Sequence, residues 1–507
     1  MSGNQSNLRW RARRRFWNAV ATLKFHGEVP TVIGAPTSSE RPVDLVPFSS
    51  KYPTIPIAGI EVANEIPADE VDKKKQIFTR VQHALVRWFS PMQPGVPPIA
   101  ADAKNALDDA YPPAFRRCFP APARPAEHGL GALAVASPYA SYLQSTGPGT
   151  FRWDLGGLAD FECHPGLVPL GAVVDFELDA ETGSLDPARI ETALGVAQPG
   201  GAGWDDAERL AMCSITSHAS MVRHFNWLHL TSGQPLEAVT RNRLPATHPI
   251  RRLLWAHVYG THAGNGLVTA ILLSKGGDFD SIFSLTHRGM CDLFEATTGD
   301  FDLASINPLL DGARRGVAGN GLATPAQDHW SALYGIILDH VNRYLAIYYA
   351  SDDAIVDDQA LGAWIDDLER LLPNGVRGVL GPAVTMTGAA SLLATVIYLA
   401  VVEHEITGSG LWDYQLWSDT SPVRIYEDGR NVPVDVFQRL VNANLTLNVH
   451  RTMLLNDELV GLALDAQGEW AFQEFQQDML GFQARLDRSP PAPWRIEPRR
   501  LKANINA

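Results

Sequence analysis

The pattern of apolar and polar positions along this chain of 507 residues changes character near Trp204. Before that point it is irregular. Proline clusters at Pro91 to Pro98 and Pro112 to Pro125 break it into short helices and loops, because proline has no N–H to give a helix or a sheet. One amphipathic helix reads through between positions 70 and 89, where Ile77, Val81, Ala84, Leu85 and Trp88 recur at helical spacing. Strand-like text is confined to Gly171 to Leu178 and is followed by a turn signal from Asp179 to Gly183.

From Trp204 onward the periodicity is helical almost throughout. It predicts helices over Trp330 to Ala350, Leu361 to Leu372, Val434 to Leu454 and Glu469 to Leu486. Between them, Thr385 to Thr407 is apolar on nearly every side, which places that helix at the centre of the fold. No internal repeat or low-complexity tract interrupts the pattern. The reading is a mainly α protein, a single large helical domain with a long central helix. Residues 1–203 form an irregular, partly helical portion packed on a helical core of residues 204–507.

Composition removes several functions. The net charge of −14 argues against nucleic acid, which needs a basic face to neutralise phosphates. The longest apolar stretch, around Leu392 to Val402, falls short of the roughly 20 residues that span a bilayer, so no transmembrane segment is expected. Cys118, Cys163, Cys213 and Cys291 lie far apart and form neither a CxxC pair nor a disulfide framework, which fits a reducing compartment. Arg13, Arg14, Arg15 and Phe16 resemble a twin-arginine export signal, but the apolar segment before Lys24 is too short for one. A cytoplasmic protein is expected. Lys275 to Gly277 and Gly316 to Gly321 follow no strand of a βαβ unit, so they are not phosphate loops. Arg251 and Arg252 read as a solvated helix face, and Asp352, Asp353, Asp357 and Asp358 as helix caps.

The candidate chemistry lies among the 15 histidines. His224 and His229 stand five residues apart in an apolar stretch. A regular α-helix would turn them about 140° from each other. A single π-turn, bonded i→i+5, would bring both onto one face, and such turns concentrate at functional sites. Spacing alone leaves open that the rings diverge and are satisfied separately. His404, between Glu403 and Glu405, emerges from the most apolar helix, and three neutral imidazoles with a carboxylate would suit a non-haem iron or similar divalent ion. Spacing cannot connect it to the pair. His218, His257 and His262 read as supporting or structural residues.

Three runs carry a family resemblance. The first joins Trp204, Asp205, Asp206 and Ala207 to His224 and His229, then Pro235, His248, Pro249 and Ile250, Leu253 and Leu254, and Asn265 to Leu267. The second comprises Trp330, Tyr344, Tyr348, Tyr349, Ser351, Asp352, Asp358 and Leu361 to Trp364. The third runs from Leu393 to Tyr398 and into His404. In order and spacing these resemble the catalytic core of the lipoxygenases, without an N-terminal β-sandwich of regularly alternating strands. The resemblance implies a metal centre of His224, His229, His404 and the terminal carboxylate of Ala507, holding iron as Fe2+ or Fe3+. It implies a substrate channel along Leu267, Val268 and Leu272.

Three positions depart from the family's pattern. Gly408 stands where members carry a weakly ligating Asn, His or Ser. Ala507 replaces the usual terminal Ile, and Val268 replaces the Ala or Gly that governs where oxygen enters. The implied activity is dioxygenation of a polyunsaturated fatty acid at its 1,4-pentadiene unit, giving a hydroperoxide from an apolar small molecule and O2. Two alternatives stand beside it: a related iron oxygenase acting on a non-lipid metabolite, and a non-catalytic lipid-binding homologue.

Overall fold

The computed structural model describes residues 33–38, 41–71, 125–319, 321–409, 419–433, 452–490 and 494–505, with single positions elsewhere. Two short strands, β1 (Leu45–Pro47) and β2 (Glu61–Ala63), form an antiparallel pair. A five-stranded antiparallel meander follows: β3 (Gln144–Gly147), β4 (Thr150–Asp154), β5 (Ala172–Leu178), β6 (Leu185–Thr192) and β7 (Gly195–Ala197). Only β5 was legible from the sequence, where Ala172, Val174 and Phe176 alternate inward. β3, β4 and β7 are short, and β6, though longer, carries Pro187 opposite a register shift between Asp175 and Phe176 that breaks its alternation. Phe151 and Trp153 pair with Phe176 and Val174, and this face is buried against the helices.

The rest is helical. A continuous helix is built from α1 (Trp204–His218), a π-helical stretch π1 (Ala219–Gly233) and α2 (Gln234–Arg243). Next come α3 (Pro249–Val258), α4 (Thr261–Val268), which runs on into π2 (Thr269–Leu273), and α5 (His287–Thr298). Then follow α6 (Pro325–Tyr348) and α7 (Gln359–Leu371). The central helix is α8 (Met386–Tyr398), π3 (Leu399–Glu403) and α9 (His404–Ser409), and α10 (Ala466–Leu486) closes the bundle. Most of the predicted helix over Val434 to Leu454 lies outside the described residues, as does most of that around Ile77.

Two large apolar clusters fill most of the described interior. One joins the meander to α1 and one side of π1; the other joins α2, α3, α6, α7, the central helix and α10. Trp227 packs against both, so π1 is the seam between them. The central helix corrects one expectation. From Met386 to Gly408 it is long and apolar enough to cross a membrane, yet 78% of its most apolar window is buried inside the fold, as suits a core helix.

Arg251 corrects another. It is buried, not solvated: its guanidinium lies 4.7 Å from the Trp255 ring and donates to the carbonyls of Arg241 and Leu244 at the end of α2. Asp358 caps α7 by accepting from Leu361 N, and it also accepts from Tyr349 Oη and faces His248 Nε2 at 2.9 Å. Cys163, Cys213 and Cys291 are free thiols, and burial pushes Cys213 up to about 12.

Four histidines other than the three at the centre, three of them buried and His218 half-buried, give the fold an acid sensitivity. Burial lowers His218 and His340 to about 3 and His257 and His329 to about 4. An unfolded chain binds protons at these groups below about 6.5, whereas the folded chain stays neutral, so their contribution is complete above that pH and lost as pH falls. The melting temperature of the metal-free protein should therefore drop steadily from pH 6.5 to 4. A flat profile over that window would show that these rings are protonated in the folded state.

Candidate metal centre

His224 and His229 both project from π1, and the i→i+5 register converges them as the single π-turn was expected to. The stretch is longer than one turn. Its carbonyls are partly satisfied by a side chain, since Ser232 Oγ donates to the Trp227 carbonyl five residues back. His404 begins α9 just after π3, so the central helix also changes register where it meets the site. His229 Nε2 lies 3.2 Å from His224 Nε2 and 3.3 Å from His404 Nε2, and all three rings are buried.

Their other nitrogens fix the tautomers. His229 Nδ1 is 2.8 Å from Asn265 Oδ1, an acceptor only, so Nδ1 carries the proton. His224 Nδ1 faces Thr407 Oγ1 at 3.3 Å, and that hydroxyl already donates to the Glu403 carbonyl. Both Nε2 lone pairs are thereby left bare and aimed at one point. Burial, followed by the neighbouring imidazoles, lowers His224 well below the usual histidine range, and burial takes His229 to about 3. Lone pairs this close repel unless a cation lies among them, so the donor set fits a divalent transition metal held by His224, His229 and His404.

The elements around the centre are braced by groups the sequence did not flag. Arg223 and Glu403, each one residue before a histidine, form a buried ion pair of 2.9 Å that ties π1 to π3. The Arg223 guanidinium also stacks 5.1 Å from the Tyr142 ring and reaches Ser141 Oγ. Asn265, which the sequence shows only as the start of the Asn265 to Leu267 run, also donates its amide to the His229 carbonyl. The two acids flanking His404 were the one visible signal of the ion pair.

The C-terminal segment is not frayed. Leu501 to Ile505 is buried, and Ala503 and Asn504 are bonded to α3 and its end: His257 Nδ1 to the Ala503 carbonyl, and Asn504 Nδ2 to those of Ala256 and Tyr259. Ile505 packs so closely on Gly233 that a Cβ there would overlap its Cδ1. Ala507 itself lies outside the described residues.

Of the expected channel residues, Leu267 and Val268 are half-buried on α4 and Leu272 is buried on π2. Their helix reaches the centre through Asn265. A cavity of about 690 Å³ opens elsewhere, lined by Arg41, Asp44, Glu65 and Asp69, and its charged walls do not suit an apolar ligand. His218 pairs with Tyr142 Oη at 2.9 Å and His262 with Gln234 Oε1 at 2.7 Å. Position 408 is not an open gap: a Cβ on Gly408 would lie 3.1 Å from His224 Cε1.

Fold and centre together define a helical domain built around three convergent imidazoles. The fold is that of the solved lipoxygenases, and the sequence of the core is similar to that of lipoxygenases. The structure of coral 8R-lipoxygenase matches it with a TM-score of 0.73, covering 97% of this chain and 81% of that one at 14% identity. Manganese lipoxygenase of Gaeumannomyces graminis matches with a TM-score of 0.61 over 71% of this chain and 70% of its own, at 16% identity. In sequence, the epidermal-type polyunsaturated fatty acid (12S)/(13S)-lipoxygenase of Mus musculus is 28% identical over 200 residues, 38% of this chain and 30% of that relative. The chain spans about a third of the length of the curated relatives it matches. No protein-family model matches the sequence.

Two outcomes follow from this geometry. Glu403→Gln or Arg223→Met strands the other charge in the interior and should cost ~3–5 kcal/mol in denaturant unfolding, whereas the paired apolar replacement should recover most of it. Equal stability in all variants would mean that the pair is solvated. Gly408→Asn should press on the His224 ring and lower metal retention measured by elemental analysis; unchanged or raised retention would show that the ring yields and that the side chain finds its own place.

Proposed function

We propose that this protein is a non-haem iron dioxygenase that adds O2 to the 1,4-pentadiene unit of a polyunsaturated fatty acid and releases a hydroperoxide. The convergence of the three buried Nε2 atoms carries this reading. When bound, iron would supply the one-electron couple needed to take hydrogen from the doubly allylic carbon and to reduce the peroxyl radical. His224, His229 and His404 would hold it, and the carboxylate of Ala507 would be the fourth protein ligand. Asn265 and Thr407 fix the tautomers that present bare lone pairs. The apolar residues packed around the centre suit an apolar substrate.

The substrate class rests on the names of the relatives, which act on polyunsaturated fatty acids, and on the apolar faces of α4 and the central helix. Val268 would border the reacting carbon. The His224 ring beside Gly408, where relatives place a ligating side chain, favours one second reading: the same scaffold oxidising a non-lipid metabolite.

Purified protein should contain iron near one equivalent and should raise conjugated-diene absorbance when incubated in air with linoleic or arachidonic acid. Manganese in place of iron would correct the metal alone. Oxygen uptake without diene formation on any fatty acid would overturn the lipid substrate in favour of the second reading. In an active protein, Val268→Ala should shift the ratio of positional products by an amount corresponding to ~1–3 kcal/mol between outcomes. An unchanged ratio would place Val268 away from the reacting carbon.

A further inference from the structure

Lys502 is a lysine buried in the C-terminal segment, five residues before the end of the chain. The segment holds it there by backbone bonds on both sides: Leu454 N to the Leu501 carbonyl and Ala503 N to the Thr452 carbonyl. Its Nζ lies 3.2 Å from Glu405 Oε1, and both side chains are about nine-tenths buried. The same carboxylate oxygen faces His404 Nδ1 at 3.7 Å. A buried ammonium is costly without a counter-charge, so the register of residues 501–505 depends on where Glu405 stands. At the same time a carboxylate beside Nδ1 favours the tautomer with the proton on that nitrogen and a bare Nε2. Asn265 does this for His229 and Thr407 for His224. Among the described residues Glu405 is the group placed to do it for His404, at a distance where the effect is electrostatic rather than a hydrogen bond.

We propose that Glu405 and Lys502 are positioning residues for the metal centre, with one carboxylate both setting the tautomer of His404 and anchoring the C-terminal segment that leads to Ala507. The inference rests on the metal-centre reading above and adds to it a mechanical link between the terminus and the third histidine. Charge, burial and chain connectivity agree on it. The ion pair joins the residue next to His404 to a segment whose last described residue packs on Gly233 at the end of π1.

The test uses the full-length protein, its untagged terminus and three variants: Lys502→Met, Glu405→Gln, and the double variant Glu405→Met/Lys502→Met. Fe2+ and Co2+ affinities are titrated, the Co2+ visible spectrum is recorded, and amide hydrogen exchange is read over residues 501–505. Each single variant should raise exchange across 501–505 and weaken metal binding by about tenfold, the usual effect of losing a group that orients a ligand. The double variant removes both buried charges, so thermal stability and protection of 501–505 should return. Its metal affinity should stay about tenfold weak with an altered Co2+ spectrum, because among the described residues nothing then faces His404 Nδ1. Wild-type affinity and spectrum in the double variant would reduce the pair to a structural contact and overturn the proposal. So would single variants that keep wild-type exchange. If the wild type binds neither metal, the metal-centre reading fails by itself, while the exchange data still decide whether the ion pair anchors the segment.

Discussion

The centre depends on one backbone constraint, the i→i+5 register of Ala219–Gly233. In an α-helix His224 and His229 would point about 140° apart, and no choice of side-chain rotamer would bring their Nε2 atoms to 3.2 Å. Such a register is a poor fit for a backbone left to itself, so it has to be held from outside. Ser232 Oγ caps a carbonyl inside the stretch, Gly233 offers no Cβ to the chain that crosses it, and Asn226 and Trp227 bond to the end of α5. Two further π-helical stretches, Thr269–Leu273 and Leu399–Glu403, lie beside the supporting helix and the third histidine. Each allows a side chain on a long helix to be re-aimed without breaking the helix.

Polar groups near the centre do a different job from the apolar packing. The two large core clusters supply bulk, and they meet at Trp227 on π1. The buried pair Arg223–Glu403 and the tautomer-setting contacts of Asn265 and Thr407 supply alignment. A buried ion pair adds little net stability compared with well-packed apolar residues, but it accepts few geometries, and here it fixes the spacing of the two helices that bear the histidines. Burial lowers the imidazoles below the usual histidine range, so the site presents three neutral donors, as metal ligation requires.

Much of the fold was legible because helices announce themselves by local periodicity. The central helix was expected over Thr385 to Thr407 and occurs from Met386 to Ser409, and Asp358 caps α7 as its position before Leu361 implied. The meander was nearly invisible, because β3, β4 and β7 are short and the longer β6 is half-exposed and contains Pro187. Arg251 was misjudged for a similar reason. A charged residue reads as solvated until one sees that the end of α2 offers it two carbonyls and Trp255 offers it a ring.

The sequence by itself determined that the chain is mainly α, that one helix is apolar enough to be its core, and that His224, His229 and His404 carry donors of one kind. Those properties follow from residue type and spacing within about twenty positions. Tertiary structure alone decided that the three rings share a point, that Arg223 finds Glu403 across 180 residues, and that the C-terminal segment runs buried beneath Gly233. Contacts between distant segments depend on how whole helices pack and on where their register slips, and neither is written in the period of any single segment.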